Sequence, residues 1–158
     1  YLLGTEKGRL KLYAVLNNSV FIKKIVKKTY FTGIFCALNH ESDGAANDNT
    51  SLFYWMLHDS GGQAMLGALF ADRSFVERLV DHEGFYNALC APRNQQAGID
   101  ENTSALYFLV GSVQGRQALV RLCAHPSFIT KLMAHEEFYA ALFARLMMPC
   151  GPHTHLAN

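Results

Sequence analysis

The phrase Thr50-Ser51-Leu52-Phe53-Tyr54-Trp55 returns 53 residues later as Thr103-Ser104-Ala105-Leu106-Tyr107-Phe108. The match continues through Gly62 with Gly115, Leu66 with Leu119, Ser74-Phe75 with Ser127-Phe128, Leu79 with Leu132, and Phe85-Tyr86 with Phe138-Tyr139. Self-similarity at a fixed period of tens of residues marks a unit that cannot bury its apolar face alone and must stack on its neighbours. A more worn copy comes first, at an offset of 54: Gly8 with Gly62, Leu12 with Leu66, Val15 with Leu69, Phe21 with Phe75, Ile25 with Leu79, Phe31 with Phe85 and Cys36 with Cys90. The chain is therefore expected to be a single helical-repeat domain over 1–158, with copies at about 1–49, 50–102 and 103–158. Asn158 stands where Asn49 and Asn102 stand, directly before a Thr-Ser, and the first residue is Tyr1. A fourth copy is expected to follow, the chain being a piece of a longer array.

Within a copy the apolar spacing is helical. Leu52, Trp55 and Met56 recur at i, i+3, i+4, with Thr50 before them as the expected N-cap. Ser60-Gly61-Gly62 predicts a break, followed by a second helix carrying Met65, Leu66, Leu69 and Phe70. Asp72-Arg73-Ser74 reads as a turn and cap before a third helix with Phe75, Val76, Leu79 and Val80, and Glu83 opens a last helical turn or two. Pro126 is placed to stop one helix and begin the next. No segment alternates with period two, so the fold class is all-α, an α-solenoid of three tandem units, with polar joints at 39–49 and 92–102.

Charge narrows the partners. Fourteen Lys+Arg against 13 Asp+Glu leave a net charge of +1, which argues against a broad nucleic-acid footprint. The three copies carry +3, −4 and +2. No apolar run reaches the length of a membrane span and no signal-peptide pattern is present. Cys36 and Cys90 hold equivalent apolar positions, Cys123 and Cys150 complete the set without a C-x-x-C, and reduced thiols are expected.

Few residues point to chemistry. The pair His82-Glu83, repeated as His135-Glu136, is explained by an acid at a helix start, favoured by the helix dipole. The seven aromatic residues Phe53, Tyr54, Trp55, Phe70, Phe75, Phe85 and Tyr86 mostly recur in the next copy, as packing between units requires. Trp55 is the exception, with Phe108 at its position and an indole N–H that needs a partner. No phosphate loop or nucleophile elbow is formed around Gly61-Gly62 or Ser112. Cys150, His153 and His155 have ligand chemistry, but no further ligand is fixed by spacing. No catalytic residue, metal ligand or cofactor is assigned.

Short helices with a glycine closing the first resemble the armadillo and HEAT class of α-helical repeats, although the period is longer than that class usually has. The Thr-Ser-x-x-Tyr-aromatic phrase also resembles repeats in large secreted effector proteins of intracellular bacterial pathogens. The resemblance implies a short right-handed superhelix acting as a protein–protein interaction scaffold, cytoplasmic or delivered into a host cell. Its partner is expected to be another protein and not nucleic acid, and the chain a monomer. The exposed positions where the pattern breaks are the expected contacts: Lys23, Lys24, Lys27 and Lys28 in the first copy, Glu77 and Asp81 in the second, and Lys131 in the third. Two rival readings are an enzyme-regulatory region with a Cys/His metal site near the C-terminus, and binding of anionic membranes through the lysine helix.

Overall fold

The computed structural model describes residues 6–38, 51–58, 60–91 and 104–143, and the statements below concern those residues. They form eleven α-helices and no strand. A first group holds α1 (Glu6–Leu16), α2 (Ser19–Ile25) and α3 (Thr29–Cys36). A second holds α4 (Leu52–His58), α5 (Ser60–Ala71), α6 (Arg73–Asp81) and α7 (Glu83–Cys90). A third holds α8 (Ala105–Gly111), α9 (Val113–Cys123), α10 (Pro126–Ala134) and α11 (Phe138–Phe143). The helices α4, α5 and α6 begin 53 residues before α8, α9 and α10, whereas α1, α2 and α3 begin 54 residues before α5, α6 and α7. The last helical turn or two expected after Glu83 is the eight-residue helix α7, so the second group holds four helices.

Two local expectations are corrected. The N-cap of α4 is Ser51 and not Thr50: the Ser51 hydroxyl accepts from the Tyr54 N–H at 3.1 Å, as Ser104 accepts from Tyr107 at 3.3 Å. A cap side chain reaches an N–H three positions on, so the first helical residue decides which hydroxyl serves. The first helix does end here, at His58, as expected, but Ser60, Gly61 and Gly62 are the opening residues of α5 and not a loop before it. Gly62 is there for contact and not for flexibility: a Cβ on it would lie 2.5 Å from Met56 Cα, so α5 crosses the backbone of α4 where only a glycine fits. Gly115 meets Leu109 of α8 in the same way, at 2.5 Å from its carbonyl oxygen and 2.7 Å from its Cα. The next residue then ties the crossing. Gln63 Nε2 donates to the Leu57 carbonyl at 2.7 Å, and Arg116 Nη1 to the Val110 and Gly111 carbonyls at 3.2 and 3.1 Å.

The turn before α6 is capped as expected, Asp72 Oδ1 accepting from the Phe75 N–H at 2.9 Å and the Ser74 hydroxyl at 2.7 Å. Asn18 does the same for α2, accepting from Val20 and Phe21 at 3.0 Å. Pro126 stands in the first turn of α10, where its missing N–H costs nothing. The hydrogen bond from Ser74, then the Phe75 N–H and the nearby Arg78 and Lys27, outweigh partial burial and hold the Asp72 carboxyl below its usual value of 3.8. A carboxyl lowered by folding contributes stability above that ordinary value and loses it as pH falls through the folded one. Asp72→Ala is expected to cost about 1 kcal/mol at neutral pH. Asp72→Asn is expected to keep most of the cap and flatten the acid limb of a stability-versus-pH curve.

The core is a row of fully buried rings passing from group to group. Phe31 and Phe35 of α3 pack on Phe75 at 5.7 and 5.4 Å, Phe35 on Phe53 at 5.2 Å, Phe53 on Phe85 at 5.5 Å, and Phe85 on Phe128 at 6.3 Å. The helix pairs that cross from the first group to the second have counterparts from the second to the third. Thus α1 on α5 matches α5 on α9, α3 on α4 matches α7 on α8, and α3 on α7 matches α7 on α11. Among the described residues no substantial contact joins α1–α3 directly to α8–α11.

Candidate functional site

The two boundaries between groups are built from the same side chains. Phe31 meets Phe75 across the first boundary, and Phe85 meets Phe128 across the second. A cation then caps the end of the preceding helix: Arg78 Nη2 donates to the Val26 carbonyl, and Lys131 Nζ donates to the Val80 carbonyl at 3.2 Å. Last-turn carbonyls have no partner within their own helix, so a cation there is favoured by both hydrogen bonding and the helix dipole. Finally, the His82 ring lies 3.8 Å from the Cβ position of Gly33, and His135 Nε2 is 2.8 Å from Asn87 Oδ1, the residue equivalent to Gly33. His82 is the N-cap residue of α7 and His135 the C-cap residue of α10; Glu83 opens α7 as the dipole argument expects, whereas Glu136 precedes α11, which begins at Phe138.

The residues expected to bind a partner fall into two sets. Lys23, Lys24, Lys27 and Lys28 are all exposed. They do not share one helix face, however. The helix α2 ends at Ile25, so Lys27 lies in the following turn and Lys28 at the N-cap position of α3. Of the apolar residues next to them in the chain, Ile22 and Val26 are buried while Phe21 is exposed. In the second and third groups the charges face one another. Glu77 pairs with Arg73 along α6 at 2.9 Å, and Asp81 pairs with Lys131 across the boundary at 2.8 Å. Asp81→Asn is expected to cost less than about 1 kcal/mol, as for other exposed pairs. Lys131→Met should cost about as little, because the Val80 carbonyl keeps its hydrogen bond from the Tyr86 hydroxyl at 2.8 Å; thermal unfolding of the two variants gives the comparison.

Trp55 and the cysteines resolve as structure. Trp55 is in the core, its carbonyl accepting from the Tyr13 hydroxyl at 3.2 Å. Cys36 and Cys90 are free and buried, and Cys123 is free and exposed. Burial pushes the Cys36 thiol up to about 12, and burial aided by Glu137 does the same for Cys90. Thiolate is the reactive form. A thiol reagent at mildly alkaline pH is expected to label Cys123 in the native protein and to reach Cys36 and Cys90 only after denaturant is added, as site-resolved mass spectrometry would show. Cys150, His153 and His155 lie outside the described residues, among which no cluster of three metal-ligating side chains occurs. No described helix is long and apolar enough to cross a membrane.

Sequence reading missed one feature: a cleft of about 540 Å³ between α5–α6 and α9–α10. Phe70, Val76 and Pro126 supply its apolar wall and Arg73, Arg121 and His125 its basic rim. Arg121 Nη1 donates to the Gly67 carbonyl at 3.1 Å, which fixes it across the two groups. Such a cleft suits an apolar side chain flanked by an acid, as in a peptide, and it offers no nucleophile beside a base. Its residues are separated by up to 56 positions in the chain, and only the stacking of the groups collects them.

Comparison of the chain with protein-family models, with curated proteins and with solved structures finds no match.

Proposed function

We propose that this chain is part of an α-helical repeat scaffold, a solenoid of three stacked units of roughly 53 residues in the armadillo or HEAT manner, that binds other proteins and does no chemistry in this region. One observation carries the reading. The same ring contact, the same cation-to-carbonyl bond and the same helix pairs recur at both group boundaries, which is what stacking of one unit on the next requires. Stacked units present an extended surface, and here it offers the cleft rimmed by Arg73, Arg121 and His125 and the exposed lysines of the first unit. Both are basic, so an acidic protein segment is the complementary partner. The likeness of the Thr-Ser-x-x-Tyr-aromatic phrase to secreted bacterial effectors makes a host-cell protein the first class to try. The test is affinity capture with the chain as bait, followed by titration of the captured partner against Lys23→Glu/Lys27→Glu and Arg121→Glu variants. Loss of at least about tenfold in affinity in one variant supports the reading. Unchanged binding by both would remove these surfaces from it.

A further inference from the structure

We propose that the rim of the cleft between α5–α6 and α9–α10 is a ligand site special to the second boundary, and that it holds one protein segment in which an apolar side chain stands next to a single aspartate or glutamate. The inference rests on the stacked-repeat reading and names the chemistry of its partner. The cleft lies inside the stack, and its volume of about 540 Å³ is that of a ligand pocket. The repeat supplies an equivalent at the first boundary for each residue that lines it. The apolar positions are kept: Phe70, Val76 and Ala124 correspond to Leu16, Ile22 and Ala71. The rim is not kept. Arg73, Arg121 and His125 correspond to Ser19, Ala68 and Asp72, and a cation returns at the first boundary only where Arg73 takes the place of Pro126. Packing between units accounts for what recurs, and a departure confined to one boundary needs another cause.

The departures run against stability. Asp72 caps α6 through the Phe75 N–H at 2.9 Å, whereas His125, at the N-cap position of α10, makes no side-chain cap bond. Aspartate is among the best N-cap residues, and a histidine in its place forgoes that gain. Alanine is the best helix former, yet the counterpart of Ala68 is Arg121, whose Nη1 donates to the Gly67 carbonyl of the second group at 3.1 Å. Positions that break a local rule at a cost to stability are where binding is built. The bond to Gly67 leaves the other donors of the Arg121 fork at the cleft, and Arg121 has no ion pair among the described residues. Arg73 by contrast is offset by Glu77, to which its Nε donates at 2.9 Å. The rim thus presents one uncompensated guanidinium, whose planar fork fits the two oxygens of a carboxylate. A doubly charged phosphate finds no second unpaired guanidinium there and is the poorer match. The His125 ring adds an N–H donor on the α10 side, and Ala71, Ala124 and Pro126 take the apolar neighbour.

Short random peptides displayed on bacteriophage and selected on the immobilised 158-residue chain test this. Each peptide is fused through its C-terminus, so side chains are its only source of carboxylate. The expected consensus is a leucine, isoleucine or valine beside an aspartate or glutamate. A labelled synthetic peptide of that consensus is expected to bind one to one by fluorescence anisotropy. Arg121→Ala/His125→Asp gives the second boundary the residues of the first. It is expected to weaken the peptide at least about tenfold while the melting temperature holds or rises, because an N-cap is restored. Arg121→Leu, which removes the charge and keeps an apolar side chain, gives the same comparison if the double variant does not fold. Lys23→Glu/Lys27→Glu should leave this peptide's affinity unchanged. Asparagine in place of the peptide's acid should weaken it by a similar factor, and phosphoserine there should bind no better. An absent consensus, a consensus without an acid, full binding by the Arg121 variants, or tighter binding of the phosphoserine peptide overturns the proposal. Each of those results leaves the stacked-repeat reading in place while both internal boundaries stay protected from hydrogen exchange, and loss of that protection is the failure of the reading itself.

Discussion

Replacing Gly62 or Gly115 by alanine is expected to destabilise the chain by about 3 kcal/mol, while the same change at Gly67 should stabilise it by up to about 1 kcal/mol. In an ordinary helix alanine is favoured over glycine, because glycine loses more backbone freedom on folding. Gly67 is that ordinary case: it is exposed in α5, and a Cβ there meets nothing within 4 Å. At Gly62 the added carbon would stand 2.5 Å from Met56 Cα and 2.7 Å from its carbonyl oxygen, and at Gly115 equally close to the Leu109 backbone. These are backbone atoms, which cannot swing aside, so α4 and α5, or α8 and α9, must separate along their crossing. The sign of the effect is the informative part. Urea unfolding of the three variants reads it, and a stabilised Gly62→Ala protein would mean that the close crossing is absent.

A comparable loss, about 3–5 kcal/mol, is expected for Phe75→Ala. The ring is fully buried and touches Phe31 at 5.7 Å, Phe35 at 5.4 Å and Phe70 at 6.2 Å, so its removal opens a cavity at the boundary between first and second groups. Against a total stability of about 5–15 kcal/mol for a chain of this size, that is a lowering of the melting temperature on the order of 10 °C. The internal control is Phe21→Ala. The same residue type at the equivalent position of the first group, but exposed, is expected to cost under about 1 kcal/mol in the monomer. Equal losses from the two would mean that the exposed and buried positions do not differ as described.

Much of the helix pattern was legible from the repeat, and the reasons for the misses are physical. Asp72 as a cap and Pro126 as a helix start depend on residues adjacent in sequence, and both stand as expected. The choice between Thr50 and Ser51 depends on where the first helical turn closes, which a pair of neighbouring hydroxyls leaves open. Gly62 looked like a breaker because close packing and flexibility both select glycine, and only the position of Met56 tells them apart. The first group kept its spacing while its environment changed: Val15 is exposed although Leu69 at the same place is buried. The expected binding residues were chosen for breaking the pattern, and the choice could not show that Asp81 and Lys131 break it together, facing each other across 2.8 Å. The basic cleft was out of reach for a related reason. Arg73, Arg121 and His125 come from different units and converge only once the groups have packed.

Native-state hydrogen exchange, read amide by amide, tests the stacked-unit account most directly. In a stack each unit is stabilised by its neighbours, so the unit with neighbours on both sides should open least often. The expected result is slowest exchange in α4–α7 and in the buried half of α8–α9, with faster exchange in α1–α3 at one end and α10–α11 at the other, measured at a concentration where the chain is monomeric. Protection in the end helices equal to or greater than that in α4–α7 would contradict the account.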